Sequence, residues 1–270
     1  MTHANRILTS LAVAGLAIAA AGVAAKAQTF KRPAPTAADW AALAKLPDFT
    51  GVWEIPLGGA TITNPAAGIP PVGRRTPPSL TPEYAAKKKA LQTTAPEDNE
   101  SANCLPPGMP EIMAQPYPLE FLLTPGQVTI VIEAYSQVRH IYTDGRPLPA
   151  DPDPSFYGTS VGHWEGDTLV VETVGFSAMT ELAPKTPHSD KMRIVERFRL
   201  ADPNTMNLET TLTDPEALTM PYVTNRILKR HRSWTIAEYI CEQNNRNFVD
   251  KNGKAGINLT PPGGPAPAPK

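Results

Sequence analysis

The sequence has 270 residues, with 25 Lys and Arg against 26 Asp and Glu and a formal net charge of −1 at pH 7. This balance gives no electrostatic reason to expect a nucleic acid or an anionic membrane as a partner. Behind an N-terminal leader the remaining chain, about 240 residues, suits one large domain, because β architectures often exceed the usual ~100–200 residues.

The first residues have the three parts of a secretory signal. A short basic start precedes an apolar run from Ile7 to Ala25, and a small-residue cleavage site ends at Ala27. We predict a signal peptide over residues 1–27, cleaved after Ala27, and a periplasmic or secreted product with no membrane contact. The alternative is an uncleaved anchor, because the run approaches the roughly 20 residues that span a bilayer. Its Ala- and Gly-rich character and the cleavage site favour removal.

Proline is abundant and unevenly placed. The chain has 31 prolines, concentrated in residues 31–78, 104–118 and 260–270. We predict a Pro-rich N-terminal wrap over residues 28–117 and a disordered tail over residues 251–270, which offers few apolar residues to bury.

Two stretches within the wrap carry helix-start signals. Thr36 is a suitable N-cap for a helix in residues 36–46. Thr81 caps a second stretch, and Pro82 then occupies its first helical position. The sequence therefore predicts two short helices before the main body of the domain.

The pattern changes to strands between Pro118 and Cys241. Strand-like runs are separated by Pro-Gly, Asp-Gly, Gly-Asp and Asp-Pro turn signals, without a long helical period. Such a meander closes into a barrel or folds into a sandwich, because both remove the sheet edges. We predict a mainly β protein over residues 118–250, a single antiparallel barrel (calycin- or lipocalin-like) or a sandwich. A Gly-x-Trp in residues 48–55 is similar to the one that plugs lipocalin-type barrels.

The stretch GHWEGDTLVVETVGF, residues 162–176, is the clearest strand–turn–strand signal. A two-residue turn preserves the alternation of faces across the hairpin. The expected core face carries Trp164, Leu169, Val171 and Thr173. His163 then shares the opposite face with Glu172, where it is either a candidate catalytic residue at a polar lumen or a surface histidine.

The next strand carries a carboxylate among apolar residues. Glu196 shares its predicted face with four apolar side chains, Met192, Ile194, Phe198 and Leu200. A buried carboxylate must be paired or hydrogen-bonded. Glu196 is therefore either a catalytic acid or base, or one half of an internal Glu–Arg ion pair that holds the barrel together.

His188 precedes this strand in a proline-flanked loop, where a rim residue of a barrel would lie. Near a buried Glu196 it would form an acid–base pair or share a metal such as Zn or Fe. By itself it is an ordinary surface histidine. The five histidines lack ligand-like spacing, so we predict no metal and no cofactor.

Candidate substrate-binding residues lie in the run that leads to Tyr142. Glu133 and Arg139 have the same parity if the run is extended throughout. Facing a lumen together, with Tyr142 nearby, they would bind a carboxylate or phenolate. The alternative is a cross-strand salt bridge at a bend near Tyr135 and Ser136.

The end of the predicted core carries a further candidate and one of two cysteines. Glu238 lies two positions from both Ile236 and Ile240, so it is a potential inward carboxylate. An oxidising compartment makes a Cys104–Cys241 disulfide the default, and the chain-entropy model gives so long a loop about 4–5 kcal/mol. The alternatives are two buried thiols, or metal ligands, although isolated cysteines form a poor zinc site.

The sequence contains no G-x-S-x-G, H-E-x-x-H, P-loop or G-x-G-x-x-G motif, which disfavours classical hydrolases, zinc proteases and nucleotide enzymes. Two functions remain, each with a small molecule as partner. The first, which the sequence favours, is a periplasmic lyase, isomerase or hydrolase that uses acid–base residues in a β-barrel pocket on an aromatic or terpenoid substrate. The second is a non-catalytic, lipocalin-like periplasmic binding protein for a small hydrophobic ligand.

Several stretches together resemble a family of secreted proteins of proteobacteria and acidobacteria. They are NCLPPGMP, QVTIVIEAYSQVRHIYTDGRPLP, DPDPSFYGTSVGHWEGDTLVVETVGF, PHSDKMRIVERF and EYICEQN. They lie between residues 103 and 247, which is most of the mature chain. The resemblance implies a secreted protein with these boundaries and assigns no residue a catalytic role.

Overall fold

A computed structural model describes residues 33–56, 77–92, 104–241, 247–249 and 255–257, and in these residues nine strands close into a barrel. The strands are β1 (Gly51–Glu54), β2 (Leu119–Thr124), β3 (Gln127–Ile132), β4 (Gln137–Tyr142), β5 (Thr159–Glu165), β6 (Thr168–Val174), β7 (Arg193–Asp202), β8 (Thr205–Thr213) and β9 (Tyr222–His231). Each strand pairs with the next in sequence, and β9 returns to β1. The predicted mainly β barrel is confirmed, and the fold is a barrel rather than a sandwich.

The barrel is antiparallel except at one pair. β4 and β5 run parallel and meet at Ile141–Ser160 and Tyr142–Val161. A closed ring with an odd number of strands cannot alternate in direction throughout, so the nine described strands require a parallel pair. We call the end with the β2–β3, β5–β6 and β7–β8 turns the hairpin end. The opposite end, with residues 133–136, 175–192 and 214–221, is the loop end.

The two predicted helices are confirmed. Helix α1 (Ala37–Ala42) begins after Thr36, which forms a capping box with Asp39, and continues into a 3₁₀ turn at Leu43–Lys45. Helix α2 (Pro82–Gln92) begins at the predicted proline. None of the α1 side chains is buried, so α1 lies on the surface.

One strand of the barrel comes from the predicted N-terminal wrap. β1 lies within residues 28–117, yet it pairs with both β2 and β9 and completes the ring. Near the C-terminus, β10 (Asn247–Val249) and β11 (Ala255–Ile257) form a separate two-stranded sheet. Strand β11 lies within the predicted tail, and the rest of that tail, like the predicted signal peptide, lies outside the described residues. Within the described ranges, no helix has the length and apolar character needed to cross a bilayer.

The interior of the barrel is packed with aromatic and aliphatic side chains. The β5–β6 hairpin has the predicted two-residue turn, with Glu165 opposite Thr168. Its inward residues Leu169, Val171 and Thr173 are fully buried, as their parity predicts. Phe121 lies 5.7 Å from Phe198 between ring centroids, in an edge-on contact across the interior. Full burial of such a side chain contributes about 1.5–3 kcal/mol.

Gly108 packs against the loop end at a close backbone approach. Its φ is +65°, and an added Cβ would lie 2.4 Å from Thr180 Cγ2 and 2.5 Å from the Phe156 carbonyl oxygen. We expect Gly108→Ala to lower the free energy of unfolding by about 2–5 kcal/mol, because a left-handed non-glycine residue costs about 1–2 kcal/mol and overpacking adds about 1–3 kcal/mol. Urea denaturation followed by circular dichroism measures this loss.

Gly145→Ala is the matched control for this substitution. Gly145 has a similar φ of +81°, but an added Cβ would meet no atom within 4 Å. Gly145→Ala should therefore lower the free energy of unfolding only by the conformational cost, about 1–2 kcal/mol. Equal losses for the two variants would contradict the close approach at Gly108.

Candidate functional site

A buried ion pair crosses the interior of the barrel. Glu196 on β7 is completely buried, and Arg139 on β4 is 1% exposed. The Arg139 guanidinium donates to both carboxylate oxygens, with Nη1 3.1 Å from Oε1. Both residues were candidates from the sequence, in separate roles, and the structure brings them together as partners.

Hydroxyl groups on β5 and β6 accept the remaining hydrogen bonds of this guanidinium. Ser160 Oγ accepts from Arg139 Nε at 3.3 Å, and Thr173 Oγ1 accepts from Nη2 at 3.1 Å. The two hydroxyl oxygens lie 2.9 Å apart. This network supplies the pairing that buried charges require. The Glu196 carboxylate is thus engaged in the internal ion pair that the sequence left open as the structural alternative.

Tyr157 is a neighbour of this pair that the sequence did not single out. Its hydroxyl is buried and has no hydrogen-bond partner among the described residues. Burial raises the pKa of Tyr157, and the positive charge of Arg139 opposes that rise. Tyr157 lies in the crossover between β4 and β5, outside any strand, so no alternation of faces marked it as inward.

His188 belongs to a separate hydrogen-bonded cluster in the β6–β7 connection. Its Nε2 lies 2.8 Å from Thr180 Oγ1 and its Nδ1 lies 2.7 Å from the Ser189 carbonyl oxygen. The Ser189 hydroxyl donates in turn to the buried Asp214 carboxylate at 2.7 Å. These contacts fix the loop end of the barrel. The described contacts of His188 do not include Glu196, so the predicted acid–base pair of these two residues is not formed.

His163 lies on the outer surface of the barrel. It is 3.1 Å from the Glu165 carboxylate, which also accepts from Arg197 at 2.8 Å. Arg197 first, and His163 second, hold the pKa of Glu165 below its ordinary value. Neighbouring outward residues on β6 and β7, Glu172 and Arg193, form a further ion pair. The face opposite the core is therefore a solvated surface of paired charges.

The predicted shared face of Glu133 and Arg139 is wrong. A 3₁₀ turn at Ala134–Ser136, with Tyr135 at φ 59° and Ser136 at φ 49°, interrupts the run between β3 and β4. Arg139 points inward, whereas the Glu133 carboxylate accepts from the backbone N–H of Ala237 at 2.9 Å. The two side chains do not share a face because the turn breaks the single extended strand that the prediction assumed. The bend lies where the predicted alternative placed it.

The remaining candidates also lie apart from the ion pair. The Tyr142 ring packs under the Arg146 guanidinium, 3.8 Å from the ring centroid. Glu238 is exposed, in a segment after β9 that is not a strand, so its predicted inward position is wrong. The predicted disulfide is confirmed: Cys104 and Cys241 are bonded, with their Cα atoms 5.7 Å apart.

A cavity of about 220 Å³ lies at the hairpin end, between the α1 segment and the β2–β3 turn. Leu43 and Leu46 form part of one wall, and the Trp164 indole also lines it. Its other lining residues are Asp39, Ala42, Leu123, Thr124, Pro125, Gly126, Gln127, Val128 and Thr143. The sequence did not predict this cavity, because its walls come from segments that are distant along the chain. Trp164 is the one lining residue that the sequence had singled out, as a core position.

The polar groups that line the cavity are largely bonded to the protein itself. The Asp39 carboxylate accepts the Thr36 backbone N–H at 2.8 Å within the capping box. Gln127 Nε2 donates to Thr129 Oγ1 at 2.8 Å, and Thr124 Oγ1 donates to the Gln127 carbonyl at 3.3 Å. The cavity therefore offers an apolar, aromatic surface with hydroxyl, amide and carboxylate groups at its edge. Within the described ranges, no group of three or more His, Cys, Asp or Glu side chains is placed to hold a metal ion.

Comparison with known proteins adds little to this description. The chain matches no protein-family model and no curated protein. Among solved structures, a mutant of the fluorescent protein UnaG is similar at 14% identity, over 68% of this chain and 96% of that chain, with a TM-score of 0.29. A likeness of this size carries no conclusion about function.

Proposed function

We propose that the protein is a non-catalytic, lipocalin-like binding protein for a small, neutral and largely apolar molecule. The cavity at the hairpin end carries the proposal, because leucines and an indole line it beside a few polar groups, as is typical of small-molecule sites. Its volume of about 220 Å³ is below the ~300–1,000 Å³ of drug-sized sites. It therefore suits a compound of one or two rings, aromatic or terpenoid.

Binding is favoured over catalysis by what surrounds the candidate acid–base residues. Glu196 is bonded to Arg139 deep in the barrel, and His188 is bonded to Thr180 and Ser189 at the loop end. Neither residue lines the cavity. A ligand at the hairpin end would therefore meet hydroxyl and amide groups and the capping-box carboxylate of Asp39 rather than Glu196 or His188.

Export to an oxidising compartment is part of this proposal. The disulfide between Cys104 and Cys241 persists in the periplasm or outside the cell and is rare in a reducing cytosol. The leader that the sequence predicts over residues 1–27, with cleavage after Ala27, supports the same compartment.

Titration with 1-naphthol tests the binding proposal. We expect a saturable shift of the Trp164 indole N–H signal in ¹H–¹⁵N spectra, and recovery of the naphthol unchanged. Leu43→Glu should weaken binding at least tenfold, or about 1.4 kcal/mol, because it places a carboxylate in the apolar wall. Ala44→Glu is the control: Ala44 is exposed and does not line the cavity. Equal affinity in the two variants, or no shift at Trp164, would overturn the proposal.

A further inference from the structure

Among the described residues, three tyrosines form a half-exposed aromatic surface at the loop end. The ring of Tyr239 lies 5.5 Å from that of Tyr117 at an interplanar angle of 87°, and 5.2 Å from that of Tyr135 at 40°. We call these three residues the tyrosine face. Leu105 and Ile240, adjacent to the disulfide cysteines, are 37% and 42% exposed beside it. Exposed apolar patches of this kind mark interaction sites.

The tyrosine face is held rigidly in position. Tyr135 and the following Ser136 both have left-handed backbone φ angles, 59° and 49°, which are strained for residues other than glycine. Ser136 Oγ donates to the Tyr239 carbonyl at 3.0 Å. The Glu133–Ala237 bond and the disulfide at Cys241 fix the same segment on both sides. Strain of this kind persists where surrounding contacts enforce it, and it concentrates at binding sites.

We propose that the tyrosine face binds the C-terminal proline-rich segment of the same chain, residues 260–269. That segment reads TPPGGPAPAP, with a proline at half of its positions and no charged side chain. Proline-rich segments dock on aromatic-lined surfaces, because a preformed polyproline II helix loses little entropy on binding. The rings of Tyr117 and Tyr239, inclined at 87°, give an aromatic surface of the kind on which proline side chains pack. This inference is independent of the ligand proposed for the hairpin end.

The connection between the tyrosine face and the C-terminal proline-rich segment is short. Cys241 is fixed two residues after Tyr239, and the β10–β11 sheet pairs Asn247 with Ile257, so its two ends lie side by side. The connecting residues are then 242–246 and 258–259, and seven residues with random-coil statistics would span about 15 Å. A short tether of this kind gives an effective concentration in the millimolar range. Even a dissociation constant of ~100 µM for the separate segments would therefore leave the face about 90% occupied.

Acetylation of tyrosines by N-acetylimidazole tests this inference in the full-length chain. We compare the native chain with a variant in which Pro261, Pro262, Pro265, Pro267 and Pro269 are all alanine. Mass spectrometry of the modified peptides gives a separate rate for each tyrosine. We expect Tyr117 and Tyr239 to react about fivefold or more slowly in the native chain, and Tyr142 to react equally in both, because it packs under Arg146 away from the face.

Adding the free peptide TPPGGPAPAPK at millimolar concentration to the alanine variant should restore the protection of Tyr239. Equal rates for Tyr239 in the two chains would overturn the proposal. Protection that appears only as the protein concentration rises would also overturn it, because the occupant would then be a second copy of the chain rather than its own C-terminal segment.

Discussion

Arg139→Met is expected to lower the free energy of unfolding by about 3–5 kcal/mol, because it leaves the Glu196 carboxylate buried without a partner. Glu196 is completely buried and receives both of its hydrogen bonds from Arg139. The Ser160 and Thr173 hydroxyls lose a donor in the same substitution. Urea denaturation at pH 7 measures the change in the free energy of unfolding. The expected loss is a large fraction of the total stability of a typical domain, which is about 5–15 kcal/mol.

Arg197→Met is the matched control for the buried pair. Arg197 lies on β7 next to Glu196, and it pairs with Glu165 on the outer surface at 2.8 Å. Exposed pairs contribute about 0–1 kcal/mol, so this variant should lose little. The double variant Arg139→Met with Glu196→Leu should recover much of the stability, because apolar side chains of similar volume replace buried pairs without a large penalty.

The same variants separate a structural role of Glu196 from a functional one. We expect the double variant to bind 1-naphthol as the native protein does, because neither residue lines the cavity. A loss below about 1 kcal/mol for Arg139→Met would contradict the isolation of this pair from solvent. Unchanged stability together with lost binding would place the ligand at the ion pair and overturn the location that we propose.

Removal of the disulfide is the second substitution with a large expected effect. Cys104 and Cys241 are separated by 137 residues, and the chain-entropy model gives a loop of that length about 5 kcal/mol. Cys104→Ala with Cys241→Ala should therefore lower the free energy of unfolding by about that amount, because the unfolded chain gains the conformations that the bond excludes. Urea denaturation without reductant, compared with the native protein, measures the loss.

The reduced native protein is the control for this variant. Adding tris(2-carboxyethyl)phosphine to the native chain should give the same midpoint as the double variant, and should leave the variant itself unchanged. A loss below about 1 kcal/mol in both cases would contradict the entropic argument and point to structure retained in the unfolded chain. Release of the segment that ends at Cys241 should also increase the acetylation rate of Tyr239.

The position of the proposed ligand differs from the lumen that the sequence suggested. Phe121 and Phe198 meet inside the barrel, and the Arg139–Glu196 pair occupies the interior nearby. The described cavity lies instead at the hairpin end, where the α1 segment and Trp164 contribute to its walls. The proposed site therefore lies outside the packed interior, and the ligand would bind between the barrel and its surface helix.

The features that the sequence predicted correctly depend on local rules. Two-residue periodicity within one strand determines which side chains share a face, so the inward position of Glu196 and the two faces of the β5–β6 hairpin followed directly. Helix α1 begins at Thr36 because its capping box is formed by residues three positions apart. The disulfide followed from the predicted leader and from the presence of only two cysteines.

The tertiary structure alone decided how distant segments meet. Arg139 and Glu196 are 57 residues apart, and their contact depends on the closure of the ring rather than on either strand. The entry of β1 into the barrel, the parallel β4–β5 pair and the tyrosine face depend on the same closure. The wrong prediction for Glu133 also reflects tertiary structure, because the short turn at residues 134–136 changes the face on which every later residue of that run lies. Periodicity determines which way a side chain points, whereas the topology of the closed barrel determines what it contacts.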